Sequence, residues 1–281
     1  MTSRPAALRF ILSTGSLHTY GLDRCFELAA QAGFEGIEVM VDRRWDTRQP
    51  HYLQRLTARH RLPILALHVP LDNTMVPGWP DDAPGRIFQT VALAEAIGAP
   101  VVVHHLPPRF RLGWLSIHGT RLPVPFVGSN TYRNWLLEAY PKLQNASSVT
   151  LCIENLPAIT LFRRRVNLAW WNTVREIARF PALTLDTTHL ATWNLDPTTV
   201  YRQLAGQVRH VHLSNFNGRQ HRRPEDGHLR LDRLLACLAA DGYTGAVSLE
   251  LCPEALNAGA PDDEIVRLLS ASLAYCRAAA G

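Results

Sequence analysis

The chain has 281 residues, 47% of them apolar, and a formal net charge of +5 at neutral pH. It holds no apolar run of the ~18 residues that a membrane-spanning helix needs, and residues 1–7 lack the basic-then-apolar order of a secretory leader, so a cytoplasmic protein without a membrane partner is expected. Lys142 is its one lysine, so the positive charge is almost wholly arginine. Such a surface permits phosphate or nucleic-acid binding without arguing for it.

Short apolar runs alternate with amphipathic segments along the whole chain. Strands are expected at 8–13, 36–41, 64–69, 100–106, 149–155, 183–187, 208–214 and 246–251. Helical spacing of apolar residues occupies 22–32, 50–61, 86–97, 131–145, 167–179, 198–205, 231–241 and 262–279. Gly33, Gly98 and Gly242 stand where helices stop. Uniformly apolar strands alternating with helices predict a parallel sheet covered on both faces. Eight such units, with no G-x-G-x-x-G turn after the first strand, predict a single (β/α)₈ TIM barrel over residues 1–281. Residues 107–130, rich in proline, arginine and aromatics, read as a long lid or binding loop after the fourth strand, and 71–84 as a second such loop. The five cysteines form no C-x-x-C pair, and Cys152 and Cys252 read as small core residues.

In such a barrel, chemistry is expected at the C-terminal ends of the strands. The fifth strand ends in Glu154-Asn155, the sixth in Asp186-Thr187-Thr188-His189, the seventh in His210-Val211-His212 and the eighth in Glu250. Any one of these is as readily a cap, a salt bridge or a loop anchor. Together, Glu154, Asp186, His212 and Glu250 would converge on one mouth. Three carboxylates so close repel and rarely stay buried without a cation. A divalent metal resolves that repulsion, and the donor set suits Zn²⁺, Mn²⁺, Mg²⁺ or Co²⁺. Glu38, on the second strand, reads as an acid supporting the site, as a substrate contact or as half of an internal salt bridge. His210 reads as a core or supporting residue, and His228 as loop surface.

These motifs, in this order along the chain, resemble the xylose-isomerase-like, endonuclease IV-like barrel superfamily. They are His68-Val69-Pro70, Ile153-Glu154-Asn155, Asp186-Thr187-Thr188-His189, His210-Val211-His212-Leu213-Ser214 and Leu249-Glu250. That group holds sugar isomerases and epimerases as well as abasic-site DNA endonucleases. The epimerase branch implies one metal on Glu154, Asp186, His212 and Glu250, with His189 and Arg219 on substrate oxygens. The endonuclease branch implies a second metal on His68, His105 and Glu154, with His104 competing for the place of His105. A third metal there would use His189 and a D-x-H; this chain has Arg219-Gln220-His221 instead, which argues against a complete third site and leaves His221 as a substrate contact.

One or two divalent metals, and a metal-dependent isomerase or epimerase of a sugar, sugar phosphate or polyol, are therefore expected. Glu154 and Glu250 would take and return the proton. The alternatives are a zinc-dependent phosphoester hydrolase and a keto-sugar lyase. Arg163-Arg164-Arg165 and the arginines of 107–130 favour phosphate, or are a solvated charge run. A small carbohydrate or phosphorylated substrate is the expected partner, with nucleic acid not favoured. A homo-oligomer through Trp170-Trp171 and the insertion is an open alternative to simple packing.

Overall fold

The structure is a computed structural model, and it describes residues 7–71, 74–117, 120–127 and 130–281, with side chains left undescribed over 111–127. Eight parallel strands close a barrel: β1 (Arg9–Ser13), β2 (Ile37–Met40), β3 (Ile64–His68), β4 (Val101–His105), β5 (Thr150–Glu154), β6 (Leu183–Asp186), β7 (Val208–Leu213) and β8 (Ala246–Leu249). Each pairs with its neighbours in chain order, and β8 pairs with β1. The strands read as continuous apolar runs because both faces are covered, one by the barrel interior and one by the helices. Ile11, Leu67, Val102, Leu151 and Val247 are fully buried.

The helices are α1 (Leu22–Ala32), α2 (Pro50–His60), α3 (Ala83–Ile97), α4 (Asn130–Glu138), α5 (Tyr140–Ala146), α6 (Val174–Ile177), α7 (Thr187–Thr192), α8 (Pro197–Leu204), α9 (Leu231–Ala240) and α10 (Asp262–Ala280). Sequence chemistry fixes their ends. Asp82 accepts a hydrogen bond from the Gly85 N–H to start α3, and Gly98 at φ 75° ends it with its N–H returned to Ala94 and Glu95. Gly245, before β8, admits no side chain: a Cβ there would lie 2.4 Å from the Arg209 carbonyl oxygen. No described helix is long and apolar enough to cross a membrane.

Several segments differ from the sequence reading. The 131–145 helix is broken into α4 and α5, with Pro141 in the first turn of α5. The 167–179 helix shrinks to α6. Ahead of it, the Asn172 side chain bonds both the N–H and the carbonyl of Leu156, and Trp171 sits at φ 59°, outside helical space. Thr187, expected to close the sixth strand, instead opens α7, because the Asp186 carboxylate accepts the His189 N–H and caps a helix. Cys152 is buried in β5, whereas Cys252 is half-buried just past β8, and all five cysteines are free.

Past β4, the long connection is an antiparallel hairpin, Phe110–Ile117 against Thr120–Val127, rather than a structureless loop. Its base is tied to the loop before α6: the Arg109 N–H bonds the Leu168 carbonyl, and the Trp170 N–H bonds the Pro107 carbonyl. The guanidiniums of Arg109 and Arg133 both lie over the Trp170 ring, 4.7 and 4.4 Å from its centroid, and Trp171 is buried. Both tryptophans are thus engaged within the chain. A short hairpin, Ile159–Leu161 against Arg164–Val166, follows β5 and leaves Phe162 90% exposed with Arg163, Arg164 and Arg165 beside it.

Candidate metal centre

Alternation along a strand sends residues i and i+2 to the same face, so His210 and His212 of β7 both point into the barrel. Their register neighbours are Thr184 and Asp186 on β6, and Ser248 faces His212 from β8. At the C-terminal mouth, one ligand atom from each of Glu154, Asp186, His212 and Glu250 falls within 4.8 Å of the others. Three further groups meet the same criterion and each shares a member with it: His68, His105 and Glu154; Asp186, His189 and His221; and Glu38, His210 and His212.

Glu154 is the hub. Its carboxylate lies 3.3 Å from His68 Nε2, 3.2 Å from His105 Nε2, 3.3 Å from His189 Nδ1 and 3.1 Å from His212 Nδ1, and it is 1% exposed. Glu250 reaches His212 Nδ1 at 3.0 Å and is the more open of the two acids. Asn155, which the sequence places in a motif but gives no role, locks β5 to β6: its amide accepts the Asp186 N–H and donates to the Asp186 carbonyl. An asparagine directly after a strand-end glutamate was the available signal.

Ring orientation follows from backbone bonds. His68 Nδ1 donates to the Val69 carbonyl at 2.8 Å, His189 Nδ1 to the Asn155 carbonyl at 2.9 Å, and His221 Nδ1 to the Glu250 carbonyl at 3.2 Å. When its ring is neutral, each is left with Nε2 as its lone-pair nitrogen. His105, not His104, faces the cluster. His104 turns outward, with Nδ1 3.0 Å from the Tyr132 hydroxyl and its ring against Tyr140. Arg219 lies exposed on the loop after β7 and joins none of these groups. Glu38 is sealed inside the barrel with its oxygens engaged by Ser13, His210 and His212, so it presents nothing to a substrate at the mouth. His228 is exposed with its ring edge-on to Phe216.

Charge balance bears on whether the residues fit a metal. Burial alone would raise Glu154 and Glu250, but His212 and the other imidazoles hold Glu154 well below the carboxylate range and Glu250 at about 2. His212 is opposed by burial, yet Glu38, Glu250 and Glu154 lift it well above the usual imidazole value. His189 also overcomes burial and rises to about 9, chiefly through Asp186 and Glu154. Asp186 goes the other way. Burial raises its carboxyl, and its Oδ2 has no hydrogen-bond partner among the described residues. Protons on histidines thus carry the positive charge that three clustered carboxylates need, and one buried oxygen remains unused. Both features fit a divalent cation, so buried His, Glu and Asp groups that can hold one are in place.

These shifts set a pH profile for the chelated protein. Burial holds His104 near 3 against an ordinary 6.5, so stability falls as pH drops from 6.5 toward 3 and the unfolded chain takes up a proton the fold refuses. His189, near 9, contributes stability that is whole below 6.5 and lost as pH rises through 9. Glu250 adds an acid-side loss from 4.5 toward 2. Thermal melts of chelated protein from roughly pH 4 to 9.5 should peak near 6.5. A profile still rising at pH 9 would contradict the histidine assignments.

Xylose isomerase-like TIM barrels match this chain over residues 26–273. The chain belongs to that family. An uncharacterized protein of Mycobacterium tuberculosis is 25% identical over 296 residues, spanning 98% of each chain. Among solved structures, the family member resembles 3-keto-D-glucoside 4-epimerase from E. coli, with a TM-score of 0.66, 15% identity and coverage of 96% of this chain and 99% of that one. It also resembles an AP endonuclease of family 2 from Brucella melitensis, with a TM-score of 0.63, 18% identity and coverage of 88% and 93%. At these identities the structures show a shared fold, common to sugar epimerases and an endonuclease.

Proposed function

We propose that this protein is a divalent-metal-dependent isomerase or epimerase of a small carbohydrate, acting by proton transfer beside a carbonyl. The observation that carries the reading is the pair Glu154 and Glu250, which both meet His212 Nδ1, at 3.1 and 3.0 Å, in a cluster that also holds Asp186. Glu154, Asp186, His212 and Glu250 would hold the metal, with Zn²⁺ and Mn²⁺ the first choices and Mg²⁺ or Co²⁺ accommodated. Bound there, it would supply Lewis-acid polarisation of a carbonyl and an adjacent hydroxyl.

The remaining roles fall to the chain's own groups. Both glutamates are held ionised, so either can accept the proton on the carbon next to the carbonyl. Inversion follows when the other glutamate, having first taken a proton from solvent, delivers it to the opposite face, and the first then returns its own proton to solvent. Transfer to the neighbouring carbon gives isomerisation. The rings of His189 and His221 stand nearly perpendicular with centroids 5.4 Å apart, and their Nε2 atoms would hold substrate oxygens. The burial of Glu154 excludes water from the proton-transfer step.

Candidate ketoses and keto-glycosides incubated in D₂O with metal-loaded protein should gain deuterium at one carbon beside the carbonyl, and Glu250→Gln should slow that exchange by ~10²–10⁴-fold. Exchange that is unaffected in Glu250→Gln would remove it from the proton path.

One observation favours a second reading. The His68, His105 and Glu154 group is a His₂-carboxylate set sharing its acid with the main cluster, as a two-metal phosphoester hydrolase requires. Metal analysis separates the two: one equivalent favours the isomerase, two or more the hydrolase. Arg219 remains the proposed contact for an extended or phosphorylated substrate reaching the β7 loop.

A further inference from the structure

Three histidines around the mouth share one ring orientation, and His212 departs from it. His68, His189 and His221 each fix Nδ1 on a backbone carbonyl and offer Nε2. His212 is reversed. Its Nδ1 faces Glu154 and Glu250, and its Nε2 lies 3.0 Å from Glu38 Oε2, a carboxylate rather than a carbonyl. We infer that Glu38 is a positioning residue for the candidate metal centre: its carboxylate holds the His212 ring with Nε2–H turned inward and Nδ1 presented to the metal. This inference rests on the metal-centre reading above.

The barrel interior is organised to keep Glu38 in that state. Its side chain is fully buried. Oε1 accepts the Ser13 hydroxyl at 3.0 Å, and Oε2 accepts His210 Nε2 at 2.5 Å as well as His212 Nε2. An ionised carboxylate only accepts hydrogen bonds, so three donors converging on it fix its charge and fix both imidazoles as Nε2–H. His210 Nδ1 has no hydrogen-bond partner among the described residues, as expected of a neutral ring whose single proton is spent on Glu38. The three strands involved are β1, β2 and β7, so the network also ties the ring to scaffold rather than loop. A carboxylate behind a ligating imidazole raises the basicity of the far nitrogen and restricts ring rotation, and loss of such a partner typically costs about 10- to 100-fold in metal affinity. Glu38 therefore acts through His212 without touching substrate.

The test uses the full chain, stripped by chelator and titrated with Co²⁺, with binding followed by d–d absorption and folding by circular dichroism. Glu38→Gln should fold and bind Co²⁺ about 10- to 100-fold more weakly. In the Co²⁺ form of the parent protein, proton NMR should show an exchangeable, hyperfine-shifted imidazole N–H from His212; in Glu38→Gln that signal should broaden or vanish. A purely structural role would lower the melting temperature and leave both readouts of the folded fraction unmoved. Ser13→Ala, which removes one donor to the same carboxylate, should shift affinity the same way by a smaller factor, and it decides the matter if Glu38→Gln does not fold. Folded Glu38→Gln with parental Co²⁺ affinity and an intact N–H signal overturns the inference, as does unchanged affinity in Ser13→Ala when the first variant is unfolded. If the parent protein itself binds no Co²⁺, the functional reading falls instead.

Discussion

Glu154→Gln should abolish turnover, by at least ~10³-fold, and should leave less than about a tenth of an equivalent of bound metal. The expectation rests on the number of groups that depend on one carboxylate. Four imidazole nitrogens, from His68, His105, His189 and His212, lie within 3.3 Å of it, and two of the four candidate ligand groups include it. Glutamine preserves the volume but removes the anion, and its amide NH₂ must then oppose ring N–H groups. The stability effect should depend on pH. His68, His189 and His212 are raised by carboxylates that include Glu154, so the parent protein gains from these pairs at low pH and loses that gain as the imidazoles deprotonate. Removing one partner of a buried charged pair costs ~3–5 kcal/mol, so the variant's deficit in chelated protein should be larger at pH 6 than at pH 9. Metal analysis beside differential scanning calorimetry at both pH values checks this. Full metal occupancy in Glu154→Gln would detach the acid from the metal centre, and an equal deficit at both pH values would mean that the imidazoles do not lean on it.

The barrel was legible because its signals are local and repeated. Each strand is an apolar run that cannot face water, and Gly33 and Gly98 end their helices in the left-handed region. The convergence at the mouth was legible for the same reason: once the order of strands is fixed, Glu154, Asp186, His212 and Glu250 must share one end. What sequence could not convey was side-chain direction. His104 and His105 are adjacent on β4, and the alternation of the strand sends one to Tyr132 and the other to Glu154. Which is which depends on register across the barrel, set by pairs such as His105 with Glu154. Glu38 stayed open among three roles because two of its partners, His210 and His212, lie more than 170 residues away. The helix expected over 167–179 failed for a tertiary reason: Asn172 is drawn to Leu156, and no periodicity reports that contact. Residue 187 failed for a chemical one, since the same carboxylate that serves the site also caps a helix.

That double role of Asp186 gives the second large effect, and two substitutions separate its parts. Oδ1 accepts the His189 N–H at 2.7 Å and caps α7, whereas Oδ2 is unpartnered among the described residues and lies 3.6 Å from His189 Nδ1 and 3.9 Å from His212 Nδ1. Asp186→Asn keeps a cap acceptor and gives up the anion. Asp186→Ala gives up both. Metal affinity should therefore fall by two orders of magnitude or more in each, on the order of a lost ligand. Stability of the chelated protein should divide them. A carboxyl whose value is raised by burial costs the fold stability above its ordinary 3.8, where the unfolded chain ionises freely and the folded one resists. Asparagine escapes that cost, so Asp186→Asn should match or exceed the parent in melting temperature at pH 7 and lose the advantage as pH falls toward 4. Alanine escapes it too but loses the cap, about 1 kcal/mol, and leaves a void beside His189, so it should melt below the asparagine variant at every pH. Melting of Asp186→Asn well below the parent at pH 7 would show that the carboxylate's attraction to the imidazoles outweighs its burial. The unpaired oxygen would then be a structural anion first and a metal ligand second.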